Sequence, residues 1–347
     1  MNDMRILIDI LHPAHVHFFK NYIQIMEKKG HEFLVTSREK EMTNYLLDFY
    51  DIDFISLSSI EKGVFNLAKE LLVRTKKLSK IVDNFKPNLL LGIMGASIAP
   101  VGWLKKIPAL VFYDTESAKP TNYYVYPLAS SILTPYCYQK NLGKKHVKYK
   151  GFQELAYLHP NYYSPNPKIL EKIDIGKNEP YFLVRTVSWG ASHDVGHKGI
   201  DKYALKNLTS ILESYGKVVF TSELNPQTKK TRQLFRPEEI HDLLYYSTLY
   251  IGEGATMASE AAILGTPSFF VSPFANKLGS LKELRVKYNL LFEANTFSSN
   301  VVDKINDLLI NITDLKNSWL KRREVMLDDM DDVTDFMINF TEDYSID

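Results

Sequence analysis

YIGEGATMASEAAILGTPSFFVSPF, residues 250–274, passes from an apolar run through two glycines to a block of small residues carrying one glutamate, then Gly-x-Pro and a second apolar run. The order predicts a strand, a tight turn, a short helix and another strand. Gly252 and Gly254 let the backbone turn and approach a ligand with no Cβ in the way. The helix that starts at Ala255–Thr256 has unpaired N–H groups and the positive end of its dipole in the first turn. Phosphate is stabilised there without a metal. Gly265 stops the helix and Pro267 opens the next strand. Thr256 and Ser259 add hydroxyl donors. Glu260, one turn in, would repel phosphate, so its natural partner is a pair of vicinal ribose hydroxyls. The plain alternative is a simple turn with Glu260 facing water and the alanines against the sheet.

Outward from this stretch the same alternation recurs. Residues 5–10 (RILIDI), HEFLVTS, DFISLS, NLLLGI and PALVFYDT read as strands separated by amphipathic helices, the longest being residues 65–87. Residues 117–167 lose the rhythm and are rich in Tyr, Pro, Lys and Asn, with a linker at 158–167. A second series follows: YFLVRTVS, KVVFTS, LYIGEG and PSFFVSP as strands with helices between them. This predicts an α/β chain of two doubly wound, Rossmann-like domains facing a cleft, 1–160 and 161–315, with 316–347 as C-terminal helices packing back on the first. Ligands in such sheets sit at the carboxyl ends of strands.

The totals agree with a soluble two-domain chain. It has 347 residues, 42 Lys plus Arg against 41 Asp plus Glu, and 45% hydrophobic residues. A net charge of +1 gives no reason to expect nucleic acid. The single cysteine, Cys137, allows no disulfide within the chain and no cysteine-based zinc site, and fits a reducing cytoplasm. The first apolar run is short, charged and ended by Pro13, so it reads as a strand and not a signal peptide. No run of about 20 apolar residues exists to span a bilayer.

GEGATMASEAAILGTP closely resembles the donor-nucleotide motif of GT-B enzymes, above all the N-acetylglucosaminyltransferase of peptidoglycan synthesis and, less closely, the UDP-N-acetylglucosamine 2-epimerases. The resemblance implies that Gly254, Ala255 and Thr256 approach a diphosphate and that Glu260 holds the ribose. EEIHDLL resembles the segment whose backbone meets uracil, which places Ile240 there. The whole chain resembles a prokaryotic family known as a domain of unknown function with a GT-B-like fold. The stretches that carry this are ILIDILHPAHVHFFKN, VFYDTESAK, GFQELAYLHPNYY, RTVSWGASHDVGHKG and IHDLLYYSTLYIGEGATMASEAAILGTP.

Other polar groups gather where strands end. His12, His15 and His17 follow the first strand, and an imidazole with a pKa of about 6.5 suits general-base work. In the related transferase a Gly-rich loop with one histidine lies here, and His15 matches that histidine, although the glycines are missing. The alternative is that one histidine caps the helix and the others pack. Asp114 and Glu116 leave another strand beside Lys119 and serve as base or acceptor ligands, or as solvated charges. Arg185, Ser188, Trp189, Ser192 and His193 follow the first strand of the second domain as phosphate donors and a stacking surface. His193, Asp194 and His197 resemble a metal cluster, yet a helix terminus already neutralises phosphate, so neither metal nor cofactor is expected. Glu223 is a weaker site candidate. RTKKLSK (residues 74–80) reads as a solvated basic stripe, with contact to a membrane surface as its other use.

The reading is a cytoplasmic glycosyltransferase, with peripheral membrane contact allowed. It uses a UDP-sugar donor and modifies a glycan or lipid-linked acceptor, such as a cell-envelope polysaccharide. A UDP-N-acetylglucosamine 2-epimerase-like isomerase and a non-catalytic nucleotide-sugar or glycan binder stay as alternatives. The HRREN-type segment of the epimerases is absent; VSWGASHD stands in its place.

Overall fold

The structure is a computed structural model that describes residues 3–40, 42–59, 63–116, 119–186, 200, 202–221 and 235–344. The chain divides into two compact units, residues Met1–Tyr162 with Met330–Asp347, and residues Tyr163–Asp329.

The first unit is built on β1 (Arg5–Ile10), α1 (Pro13–Lys28), β2 (Glu32–Glu39), α2 (Thr43–Phe49), β3 (Phe54–Ser59), α3 (Val64–Phe85), β4 (Leu89–Ile93), α4 (Ile98–Lys105), β5 (Ala109–Phe112), α5 (Lys119–Leu128), β6 (Ser131–Pro135), β7 (His146–Tyr149) and α6 (Leu155–Leu158). Its strands lie in the order β3-β2-β1-β4-β5-β6-β7, all parallel. The central strands are apolar along their length because helices cover both faces of a parallel sheet; β4 and β5 are buried throughout. The order reverses between β1 and β4, where Asp9 lies beside Gly92, so this is the sheet's switch point. Residues 119–167 hold more order than their composition suggests. β6 and β7 are only five and four residues long, and α5 carries Pro127 inside it, so no run is long enough to show a period.

The second unit contains α7 (Lys168–Lys172), β8 (Tyr181–Arg185), α8 (Lys202–Glu213), β9 (Lys217–Phe220), α9 (Ile240–Tyr246), β10 (Leu249–Gly252), α10 (Ala255–Ile263), β11 (Ser268–Val271), α11 (Gly279–Val286), β12 (Leu291–Ala294), α12 (Ser299–Ile310) and α13 (Ile312–Asp328). The sheet order is β12-β11-β10-β8-β9, again parallel, and reverses between β8 and β10, where Arg185 faces Gly252.

The helices after residue 315 do not act as one piece. α13 stays with the second unit: Lys316 Nζ donates to Thr266 Oγ1 (2.7 Å) and to the Tyr245 carbonyl, and Arg323 Nε donates to Ile263 O (2.9 Å). Two cations thus meet carbonyls at the C-terminal ends of α9 and α10, where the helix dipole favours positive charge. Only α14 (Val333–Tyr344) lies on the first unit, with Thr334 Oγ1 donating to Ala156 O (2.8 Å) and Tyr22 OH to Thr341 Oγ1 (3.1 Å). Among the described residues no helix is long and apolar enough to cross a membrane.

The basic stretch 74–80 is not a uniformly solvated stripe. Arg74 is buried under β1, paired with Asp9, and donates to Ser37 O (2.8 Å) and Ser58 Oγ (3.1 Å). Thr36 Oγ1 donates to the same Asp9 carboxylate at 2.7 Å. Lys76 and Lys80 do face solvent.

Candidate functional site

In the second unit the Gly-Glu-Gly turn stands at the switch point. Gly252 ends β10, and a Cβ there would collide with the hydroxyl of fully buried Tyr250 and lie 3.1 Å from Arg185 O. Internal packing alone therefore requires this glycine. Gly254 is different: it caps α10, and a Cβ on it would meet nothing within 4 Å. A glycine cap offers no side chain to the first N–H groups, so the turn of Ala255 and Thr256 is left with the donors that an isolated helix start always has. Ala255 is half-buried and Thr256 exposed, which puts that turn at the surface of the unit. The other end of α10 is closed by Gly265 at φ +75°, with Thr266 N donating back to Ala261 O at 2.9 Å.

Ser259 follows on the next turn of α10. It is buried, and Oγ donates to Thr256 O at 3.0 Å. Glu260 does not face water either. It is 4% exposed, and its Oε1 lies 3.1 Å from Nε2 of His241, itself 4% exposed on α9. A buried carboxylate needs such a partner. Ile240, next to His241, is half-buried at the start of α9. Glu253, between the two glycines, is buried and accepts the Ile200 N–H at 2.6 Å. Arg185 is partly buried at the end of β8, and its carbonyl accepts the Glu253 N–H at 3.2 Å. Ser188, Trp189, Ser192 and His193 lie outside the described residues, as do Asp194, His197 and Glu223.

In the first unit the matching turn is made of histidines. His12 caps α1: its Nδ1 accepts the Ala14 N–H at 3.2 Å, and Pro13 sits at the first helical position, where no N–H is missed. His15 is buried, and its Nδ1 accepts the Leu11 N–H at 3.3 Å. Burial, helped by the charges of His12, Lys40 and Arg74, holds its pKa well below 6.5. His17 belongs to the packing, buried near the Tyr157 ring (5.4 Å between centroids) with Tyr50 OH 3.5 Å from Nδ1.

Asp114 and Glu116 follow β5. Asp114 takes a bond from Thr115 Oγ1 (2.8 Å), and burial raises its carboxyl pKa above the usual value. Glu116 is not a solvated loop charge: it is 6% exposed, its Oε1 accepts the Gln139 N–H at 3.3 Å, and its carbonyl accepts Lys140 Nζ at 2.9 Å. It ties the segment after β5 to the segment after β6. Among the described residues no group of three or more His, Cys, Asp or Glu could hold a metal ion.

The model of the family described as protein of unknown function, DUF354, matches residues 4–345. The chain belongs to that family. An uncharacterized protein of Methanocaldococcus jannaschii is 26% identical to this DUF354 chain over 330 residues, 89% of this chain and 93% of its own length. Three solved structures resemble it in fold. The UDP-GlcNAc 2-epimerase of Neisseria meningitidis bound to UDP-GlcNAc has a TM-score of 0.64 at 12% identity, covering 94% of this chain and 99% of its own. Spinosyn forosaminyltransferase has a TM-score of 0.66 at 11% identity, covering 100% of both. Spinosyn rhamnosyltransferase, complexed with thymidine diphosphate, has a TM-score of 0.63 at 13% identity, covering 97% and 100%. The DUF354 chain therefore has a GT-B-like fold, α/β with two parallel sheets.

Sequence reading misses His241, Glu253, Asp9 and Arg74. His241 meets Glu260 across 19 positions of sequence, from a different helix, and no spacing rule joins them. Asp9 and Arg74 are 65 apart; the one signal was an acid inside an otherwise apolar strand.

Proposed function

We propose that this is a glycosyltransferase that takes the sugar from a UDP-sugar and passes it to a glycan or lipid-linked acceptor. The observation that carries the reading is the pairing, on one short helix, of an open glycine cap at Gly254 with a buried carboxylate one turn in, Glu260, held by His241. Main-chain N–H groups of Ala255 and Thr256 take the diphosphate, and Glu260 takes the ribose hydroxyls, which is why an acid is kept near an anion site. Ile240 lies beside His241, so the segment proposed to meet the base is joined to the segment proposed to meet the ribose by the His241–Glu260 bond. The first unit supplies the acceptor side, with His15 and Asp114 or Glu116 as base or acceptor ligands. The anion is neutralised by the helix, so no metal or cofactor is called for. A cytoplasmic location, peripheral membrane contact and a role in envelope polysaccharide belong to the same proposal through the lipid-linked acceptor.

The test is UDP titration by calorimetry. Glu260→Ala is expected to weaken UDP by about 1–3 kcal/mol, the size of a charged hydrogen bond. Unchanged affinity removes Glu260 from the ribose. Incubation with UDP-N-acetylglucosamine then separates the alternatives: slow UDP release accelerated by a glycan extract supports transfer, while isomerised sugar without acceptor supports the epimerase.

A further inference from the structure

The middle residue of the Gly-Glu-Gly turn has no part in the phosphate and ribose contacts proposed above. Glu253 is 5% exposed, and a carboxylate beside an anion opposes that anion. Its bonds give it another task. The chain leaves β8 at Arg185, and Arg185 O accepts the Glu253 N–H at 3.2 Å. Ile200 stands just ahead of α8, and its N–H donates to Glu253 Oε1 at 2.6 Å. One residue therefore holds two points that are far apart in sequence: the end of β8 through its main chain, and the approach to α8 through its side chain.

Both ends of this tie are firm. The bond to Ile200 has an ionised acceptor and is short, the kind that is stronger than a neutral hydrogen bond. Ile200 packs against the buried cluster that includes Val184 and Leu208, so the tie ends on the core of the second unit. On the other side Gly252 pairs with Arg185 in the sheet, and Gly254 caps α10. Glu253 is thus bonded through main chain and side chain immediately before the first turn of α10. An acid has the length to reach Ile200 from this position; alanine and aspartate are shorter.

We infer that Glu253 is a positioning residue for the turn that opens α10: through the reach of its side chain it ties the approach to α8 onto the glycine turn, and so fixes the main chain of Gly254 and Ala255. That this main chain meets a nucleotide diphosphate rests on the function proposed above; the tie itself does not.

The test uses the full chain with three variants. Glu253→Gln keeps the reach and a carbonyl acceptor but removes the charge. Glu253→Asp keeps the charge and is one methylene short. Glu253→Ala keeps neither. Without ligand, exchange of the Ile200 amide followed by NMR should stay within about threefold of the parent in the Gln variant and become about tenfold or more faster in the Asp and Ala variants, as expected for the loss of one charged hydrogen bond. The amide signals of Gly254 and Ala255 should move in the Asp and Ala variants and stay near the parent positions in the Gln variant. UDP affinity by calorimetry should keep the same order: Gln within about threefold of the parent, Asp and Ala about tenfold or more weaker. Urea midpoints of the same samples separate positioning from stability, since a purely structural acid lowers the midpoint of the Ala variant and leaves the UDP affinity of the folded protein unchanged. If the Ala variant does not fold, the Gln and Asp pair decides. Affinity that follows the charge, kept by Asp and lost by Gln, overturns the inference and makes Glu253 a group that acts on the ligand through its carboxylate. Equal affinity in all the folded chains, or an Ile200 amide that exchanges alike in all of them, overturns it as well. If the parent binds no UDP, the nucleotide reading falls, and the tie is still decided by the Ile200, Gly254 and Ala255 amides.

Discussion

Two turns in this molecule occupy equivalent places, each leading from a central strand into a helix at the point where a parallel sheet reverses its order. The turn in the second unit is capped by glycine, with no side-chain cap bond to its first-turn donors among the described residues. The turn in the first unit is capped by His12 and crossed by His15, and its Leu11, Ala14 and His15 N–H groups bond within it. The same topology thus yields a glycine-capped turn in one unit and a histidine-capped one in the other. The difference is set by which residue stands at the cap, because a side-chain acceptor at that position removes the donor that a ligand would need.

The largest expected effect comes from what supports the histidine turn. Asp9 and Arg74 are both 2% exposed, and the pair holds the end of β1 in place. Arg74→Ala leaves a carboxylate buried without its cation, which costs about 3–5 kcal/mol. The urea midpoint of the first unit's transition should fall accordingly, and Asp9→Asn combined with Arg74→Met should recover part of the loss. A single variant as stable as the parent means that the pair is not what fixes this turn.

The glycine turn is expected to respond to a smaller perturbation, and unevenly. Gly252→Ala forces a Cβ into buried Tyr250 and should cost about 1–3 kcal/mol, as overpacking does. Gly254→Ala has room and should cost only about 0.5–1 kcal/mol, the difference between Gly and Ala at an N-cap. UDP affinity should show the opposite order, with Gly254→Ala weakening it about tenfold, near 1.4 kcal/mol, because the new methyl occupies the approach to the first-turn amides. If Gly252→Ala is harmless to stability, or if Gly254→Ala leaves UDP affinity intact, the two glycines do not divide the work between packing and binding.

The fold was legible in the sequence because strands of a doubly wound sheet are short apolar runs, and helices between them keep a 3.6-residue period. β6 and β7 were not, since SILTP and HVKY are too short to show either pattern. At the candidate site the local part was legible: Gly252, Gly254 and Glu260 stand close together in sequence, at the end of β10 and on α10. The non-local part was not. Nothing in EEIHDLL says that His241 faces a glutamate on another helix, and nothing in RTKKLSK says that its first residue turns inward to Asp9 while Lys76 and Lys80 stay in solvent. The spacing of HPAHVH also does not tell which histidine caps, which packs and which crosses the turn; that depends on the Leu11 and Ala14 amides.

The smallest expected effect is also the most direct measure of the histidine turn. Burial lowers the pKa of His15 in the folded chain below the value of about 6.5 that the ring has when unfolded. Between these two values the unfolded chain binds more protons than the folded one, so stability rises with pH through that window and is lost as the solution is acidified below about 6.5. His15→Gln has no such proton to bind. The stability of the parent relative to the variant should therefore be constant above pH 7 and decline as pH falls from 6.5 toward 5, read from urea midpoints at a series of pH values. A difference that stays flat across that range means that the ring titrates alike in both states, and a difference that grows on acidification means that the folded chain holds His15 as an imidazolium. Either outcome means that burial does not hold the His15 ring neutral in the folded chain.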